Sequence, residues 1–163
     1  MVLSRVFSCV ALVFATAIAG CDKPHNITPQ EAAVVKDNVQ QTMAAIARDV
    51  STKGPVAWLT YFERTPGFFM ASEGGVAFAD NKTAAIFIND SLPKYIRTIQ
   101  LQWQNIKIDP LTTALASVGA EYHENITAIS GAMNSEHGYF TAVAEKTAGG
   151  WQLRNLHWSV VCK

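Results

Sequence analysis

The sequence predicts an α+β domain in which helices come first and an antiparallel sheet follows. Three observations indicate this fold class. A helix-start signal at Thr28 opens a stretch with apolar residues at three- and four-residue spacing. From Ile99 onward apolar and polar residues alternate, which is the period of a half-buried strand. Near the end, Gly149 and Gly150 join two stretches rich in β-branched and aromatic residues, as in a β-hairpin. We therefore expect three N-terminal helices packed on a strongly curved antiparallel sheet.

The first helix is predicted to begin at Thr28 and to end near Ser51. Thr28 suits the N-cap, Pro29 suits the first helical position, and Glu31 completes a capping box. The apolar residues that follow recur on one side, so they are expected to face the core. They are Val35, Val39, Met43, Ile46 and Val50.

Two shorter helices and a small hairpin are predicted next. Pro55 can open a second helix that ends near Arg64. Residues 68–79 contain two apolar runs around Ser-Glu-Gly-Gly, which indicates a hairpin. A third helix is expected from Ala84 to about Ser91.

Four long strands are predicted to complete the sheet. In the first strand, apolar residues occupy odd-numbered positions from Ile99 to Trp103 and even-numbered positions from Ile106 onward. This change predicts a bulge near Asn105. The second, Ala114–Ile129, carries small residues on one face. These leave room above the sheet for a helix or a ligand. The last two strands form the terminal hairpin.

The N-terminal residues have the pattern of a bacterial lipoprotein signal. Arg5 supplies a positive start, and the apolar run from Val6 to Ile18 is too short for a comfortable transmembrane helix. The run ends in Ile-Ala-Gly-Cys at 18–21, which resembles a lipobox and implies that Cys21 is lipidated. An ordinary signal peptide cut nearby, or a retained anchor, is the alternative.

These signals predict a signal peptide at 1–20, a tether at 21–28 and a folded domain at 29–163. Lipidated Cys21 would hold the domain at a membrane, on the periplasmic side of the bacterial cell envelope. By resemblance to enteric lipoproteins, Asp22 favours the inner membrane. Cys162 is then an unpaired thiol, interpreted as a small core residue, and a Cys21–Cys162 disulfide in an unlipidated form is the alternative.

Charge and motif content exclude several kinds of partner. The 163 residues include 13 basic and 13 acidic residues, and no basic cluster carries interleaved aromatic residues. Nucleic acid is therefore not an expected partner. No ligand spacing supports a metal site, and we expect no cofactor.

The chain ends in a recognisable motif with Gly149, Gly150, Trp151, Leu153, His157 and Ser159. This end resembles the nuclear transport factor 2-like superfamily, especially its SnoaL-like and calcium/calmodulin-dependent kinase association-domain branches. The resemblance covers roughly residues 29–161 and implies a cone-shaped domain that encloses a pocket. Members include ketosteroid isomerases, polyketide cyclases, dehydratases, transport adaptors and assembly hubs. Isomerase-type members use a tyrosine on the first helix, and this first helix has none.

The expected pocket lies between the second helix and the long strands. Tyr61 would line its helical wall, and Trp103, His123, Asn155 and His157 its sheet wall. Structural roles are the alternative for each: the aromatic residues also suit a core, and the histidines suit a strand surface or a hydrogen bond to a neighbouring strand.

We therefore expect a membrane-tethered domain that binds a small, mostly apolar ligand. An isomerase, cyclase or dehydratase that uses the pocket is the main alternative, and a self-associating hub or homodimer formed through the sheet is a further one. An acid with a raised pKa in a dry apolar cavity would favour the enzyme. A wide apolar face outside the cone would favour self-association.

Overall fold

The computed structural model describes residues 27–161, which form three α-helices and one six-stranded sheet. The predicted α+β class is confirmed. The predicted signal peptide, most of the tether, Cys21 and Cys162 lie outside the described residues. Within residues 27–161, no helix is both long enough and apolar enough to cross a membrane.

Helix α1, Pro29–Lys53, begins at the capping signal in the sequence. The backbone nitrogen of Glu31 donates to Thr28 Oγ1 over 3.2 Å, and the Thr28 nitrogen donates to Glu31 Oε2 over 2.9 Å. This reciprocal pair satisfies two backbone donors that a helix start leaves free. The buried side of α1 carries the predicted apolar stripe and also Asp49.

Helix α2, Trp58–Tyr61, follows a 3₁₀ turn at Pro55–Ala57 and is shorter than predicted. The chain becomes extended at Phe62, with φ −80° and ψ 127°, and Phe62 bridges to Leu153 in the last strand. Pairing with the sheet therefore ends the helix before Arg64.

Helix α3, Asn81–Ile86, begins earlier than the sequence predicts and continues through a π turn at Phe87–Ser91. Asp80 caps it, because the Thr83 nitrogen donates to Asp80 Oδ1 over 2.7 Å. The start was predicted too late because the polar residues Asn81 to Thr83 were interpreted as part of the cap, whereas they form the first turn of the helix.

The six strands lie in the order β2-β1-β6-β5-β4-β3. Their bounds are β1 Met70–Ser72, β2 Gly75–Phe78, β3 Ile96–Pro110, β4 Leu115–Ala128, β5 Met133–Thr147 and β6 Gly150–Val160. The expectation of a wholly antiparallel sheet was wrong, because β1 pairs in parallel with β6. The chain between them includes β2, α3 and three long strands, which supplies the long connection that parallel pairing needs.

Two of the register shifts in the long strands are bulges that hold an asparagine with positive φ. Asn105 in β3 has φ 50°, and the register shifts between Gln104 and Lys107, where the sequence predicted a bulge. Asn155 in β6 has φ 51°, at a second bulge that was not predicted. Asparagine tolerates this left-handed conformation better than most residues. After the second bulge, Leu156 is buried and His157 is exposed.

The centre of the core is a cluster of aromatic rings on the inner face of the sheet. The ring of Trp158 lies 4.6 Å from Phe140 and 5.4 Å from Trp58, measured between centroids. Trp103 lies 5.0 Å from Phe140, and its Nε1 donates to the Met43 carbonyl of α1 over 3.0 Å. This bond joins the first helix to the sheet and satisfies the polar edge of a largely buried indole.

Candidate functional site

A cavity of about 220 Å³ lies beside the aromatic cluster, at one end of the sheet. Its walls come from α2, the β1–β2 hairpin, the extension of α3 and the neighbouring ends of β3 to β6. Its apolar lining includes Trp58, Phe62, Phe78, Phe87, Ile99 and Trp158. The cavity is the size of a small organic molecule rather than of a single water.

The β1–β2 turn forms one rim of this cavity. Glu73 and Gly74 have φ 51° and 79°, the pair of positive values that a two-residue type I′ hairpin turn requires. Ser72 and Glu73 both line the cavity. The tight turn therefore carries a carboxylate to the cavity rim.

Two more carboxyl groups line the sheet wall. Glu124 in β4 and Glu136 in β5 are directly opposite in the antiparallel register, so they are close neighbours on one face. The Asn134 amide donates to Glu136 Oε1 over 2.8 Å. Glu124 is only 9% exposed and has no hydrogen-bond or ion-pair partner among residues 27–161. The cavity therefore contains one buried, unpartnered carboxyl group.

The surroundings of Glu124 raise the pKa of its carboxyl group to near neutral pH. Burial, with a smaller contribution from the negative charge of Glu136, raises the pKa of Glu124 to about 7. This carboxyl group can therefore hold or release a proton near neutral pH, and in its protonated form it can donate a hydrogen bond to a bound molecule.

Tyr122 lies two residues before Glu124 on the same strand face and is also buried. Within the described part of the chain, its hydroxyl has no hydrogen-bond partner. Burial, followed by the charges of Glu124 and Glu136, raises the pKa of Tyr122 to about 12, and the nearby Trp158 indole opposes this rise without reaching hydrogen-bond geometry. The phenol therefore remains protonated.

The five residues predicted to line the pocket do not line this cavity. Tyr61 instead donates its hydroxyl to Asp49 Oδ2 on α1 over 2.8 Å. This bond is the largest cause, ahead of Lys53, of the lowering of the Asp49 pKa to about 2. Trp103 belongs to the aromatic core next to the cavity.

The other three predicted residues lie in the bulge or on the outer face of the sheet. The side-chain oxygen of Asn155 is buried without a partner among the described residues. His157 is exposed, because the Asn155 bulge turns Leu156 rather than His157 toward the core. His123 is exposed and stacks on His137 of β5, with ring centroids 5.5 Å apart.

The residues that the sequence reasoning missed are Glu124 and Glu136. The signal for Glu124 is strand alternation: Ala116, Val118, Ala120 and Tyr122 are buried, and Glu124 continues the same parity. A carboxyl group at an inward position of a strand is rare, because burial of an unpaired charge is unfavourable. The position of Glu124 in the alternating pattern of β4 therefore identifies it better than its residue type does.

The outer face of the sheet holds a second pocket of about 320 Å³ around the stacked histidines, lined also by Glu121, Tyr139 and Ser159. Throughout residues 27–161, no group of three His, Cys, Asp or Glu side chains is placed to bind a metal ion. The inner cavity is the stronger candidate site because it combines aromatic walls with a carboxyl group that is only 9% exposed.

No protein-family model and no curated protein sequence matches the chain. Solved structures do match it. A nuclear transport factor 2-like superfamily protein from Salmonella enterica serovar Typhimurium is 16% identical with a TM-score of 0.68, over 80% of this chain and 94% of that one. The hexachlorocyclohexane dehydrochlorinase LinA-type3 from Novosphingobium barchaimii is 10% identical with a TM-score of 0.63, over 83% and 92%.

A conserved protein from Planctomyces limnophilus is 16% identical with a TM-score of 0.62, over 79% of this chain and 98% of that one. Together with the mixed sheet, the helices and the internal cavity, these similarities define the class of fold. The chain has the nuclear transport factor 2-like fold, as the terminal motif implied. At such low identities the similarity concerns the fold and leaves activity to be argued from the site.

Proposed function

We propose that this protein is a lipid-anchored domain that binds a small, mostly apolar ligand in the cavity between its helices and a strongly curved, cone-forming sheet. One observation carries the proposal: an apolar cavity contains the buried, unpartnered carboxyl group of Glu124. Apolar cavities with a few convergent polar groups are typical ligand sites.

Glu124 and the apolar walls of the cavity offer complementary contacts to a ligand. A hydrogen bond between a ligand and a carboxyl group typically contributes about 0.5–1.5 kcal/mol when the group is neutral and about 1.5–3 kcal/mol when it is charged. A ligand with a polar group facing Glu124 would restore a partner, and its apolar part would be removed from water against Trp58, Phe87 and Trp158.

The ligand-binding proposal is tested on the full-length chain purified in mild detergent. Native mass spectrometry would detect a co-purified small molecule. Ser72→Phe adds a ring inside the cavity, whereas His157→Phe introduces the same residue on the outer face with little change in bulk. We expect Ser72→Phe to lose the bound molecule and His157→Phe to keep it. Equal occupancy in both variants would contradict the proposed site.

The lipid anchor is proposed from the lipobox-like residues before Cys21. Lipidation at one cysteine holds a protein at a bilayer through acyl chains that insert among the lipids. Cys21→Ser should therefore move the protein from the membrane fraction to the soluble fraction of bacterial cells. Continued membrane association of Cys21→Ser would contradict the anchor.

Proton-transfer catalysis is the second candidate, and the protonation of Glu124 favours it. A general acid or base works best when its pKa lies near the working pH, and the pKa of Glu124 is about 7. A molecule recovered from the protein would be returned to it in deuterated water. Deuterium incorporation by the wild type but not by Glu124→Gln would indicate an enzyme, and incorporation by neither would indicate a binding protein.

A further inference from the structure

The charged groups of the cavity all have the same sign. Glu73, Glu124 and Glu136 line it, and no lysine, arginine or histidine does so among the residues that the structure describes. A cleft lined by one sign of charge, with walls of low dielectric constant, concentrates ions of the opposite sign. The carboxyl groups come from the β1–β2 turn, β4 and β5, so they reach the cavity from different elements.

We propose that the ligand of this cavity is an apolar cation, such as a protonated amine or a quaternary ammonium compound. The inference rests on the ligand-binding function proposed above and names the chemical class of its ligand. Glu124 is the natural counter-ion, because it is buried, faces the cavity and has no other partner among residues 27–161.

The aromatic walls suit the same class of ligand. Trp58, Phe62, Phe78, Phe87 and Trp158 all line the cavity. Phe78 and Phe87 lie 5.4 Å apart between ring centroids, and Trp58 and Trp158 lie at the same separation. Aromatic faces attract cations through the ring quadrupole, most strongly for tryptophan, and clusters of such rings bind quaternary ammonium groups.

The arginine of β6, Arg154, is already engaged by other carboxylates. Arg154 of β6 bonds Glu145 through Nη1 at 2.8 Å, and its Nε lies 3.4 Å from Glu63. These two carboxylates do not line the cavity. Arg154 is therefore not the counter-ion of Glu124.

The protonation of Glu124 links binding of a cation to pH. A cation favours the ionised carboxylate, so binding to a partly protonated Glu124 releases a proton. The titratable groups that share its surroundings are Glu136, Glu73 and the Tyr122 hydroxyl. None of these groups carries a positive charge, so ionisation of Glu124 should strengthen binding of a cation as the pH rises through about 7.

Three matched probes separate the charge of the ligand from its shape. They are benzyltrimethylammonium, the nearly isosteric alcohol dimethylbenzylcarbinol, and the anion phenylacetate. Calorimetry on the full-length chain in detergent measures each dissociation constant at pH 6 and pH 8. For a carboxyl group with pKa near 7 that must be ionised, affinity for the cation should rise about tenfold across this range. The alcohol should bind more weakly, without this pH dependence.

Three Glu→Gln variants test whether the pH-dependent binding of the cation takes place in the cavity. Glu124→Gln should weaken binding of benzyltrimethylammonium about tenfold at pH 8 and remove the pH dependence, while circular dichroism shows an unchanged fold. Glu121→Gln removes one negative charge from the other face of the same strand and should bind like the wild type. Glu136→Gln tests the second carboxyl group and should have a smaller effect.

The outcomes distinguish this inference from the function on which it rests. If the alcohol or phenylacetate binds as tightly as the cation, the cation proposal is overturned and the ligand-binding function stands. If none of the three probes binds and no molecule co-purifies, both proposals are overturned. If the cation binds equally well to wild type and Glu124→Gln, its site lies elsewhere and the inference fails.

Discussion

Replacing Glu124 with glutamine should stabilise the protein above neutral pH and have much less effect in mild acid. Glu124 is 9% exposed, and its pKa is about 7 instead of the ordinary 4.5. Between these two values the folded chain holds the proton that the unfolded chain has released. The free energy of unfolding of the wild type therefore falls as the pH rises through this range.

The size of the effect follows from the two pKa values. They differ by about 2.5, and each pKa unit corresponds to about 1.4 kcal/mol, so ionising Glu124 in the folded state removes about 3 kcal/mol of stability. About 2–3 kcal/mol of this loss should occur between pH 5 and pH 8. Glutamine has nearly the same shape and cannot ionise, so Glu124→Gln should not show the loss.

Urea unfolding followed by tryptophan fluorescence would measure the free energy of unfolding of the wild type and Glu124→Gln at pH 5, 6, 7 and 8. The control is Glu121→Gln, because Glu121 lies on the other face of β4 and accepts a hydrogen bond from Asn105. Its stability should follow that of the wild type through the pH series. A constant difference between Glu124→Gln and the wild type at every pH would refute the burial of an ionisable group at this position.

Three further substitutions, one of them a control, test other parts of the fold. Tyr61→Phe removes the hydroxyl that donates to Asp49, so the Asp49 pKa should rise from about 2. Carbon NMR of the Asp49 carboxyl group would measure this pKa. The same pKa in the wild type and Tyr61→Phe would show that the hydrogen bond is absent. Gly138→Ala places a methyl group against the Ser159 carbonyl oxygen within the sheet and should destabilise the protein by about 3 kcal/mol in urea unfolding. Gly75→Ala meets no atom within 4 Å and should change stability by less than about 0.5 kcal/mol, so equal losses for the two glycines would disprove the close approach at Gly138.

Local signals made much of the fold predictable. The cap at Thr28 and the change of apolar parity near Asn105 each involve residues within one element, so a short sequence window contains them. The parallel pairing of Met70–Ser72 with β6 depends on residues far apart in sequence. No local pattern specifies such a partner, and the prediction of an antiparallel sheet failed there.

The site was less predictable because side-chain direction mattered more than residue type. His157 was selected for its match to a family motif, although the bulge at Asn155 places it on the outer face. Glu124 could have been found by counting along β4 from the buried Ala116. The value of its pKa could not, because that depends on Glu136 across the sheet and on the elements that bury it.

The two bulges also determine how these strands can change length. Deleting one residue from a regular strand moves every residue beyond it to the opposite face of the sheet. Asn105 and Asn155 are exceptions, since each is the additional residue where two residues oppose one on the neighbouring strand. Loss of Asn155 would leave Leu153, Leu156 and Trp158 in simple alternation, all still facing inward. These two asparagines are therefore positions at which homologous chains could gain or lose a residue within a strand and retain the same interior.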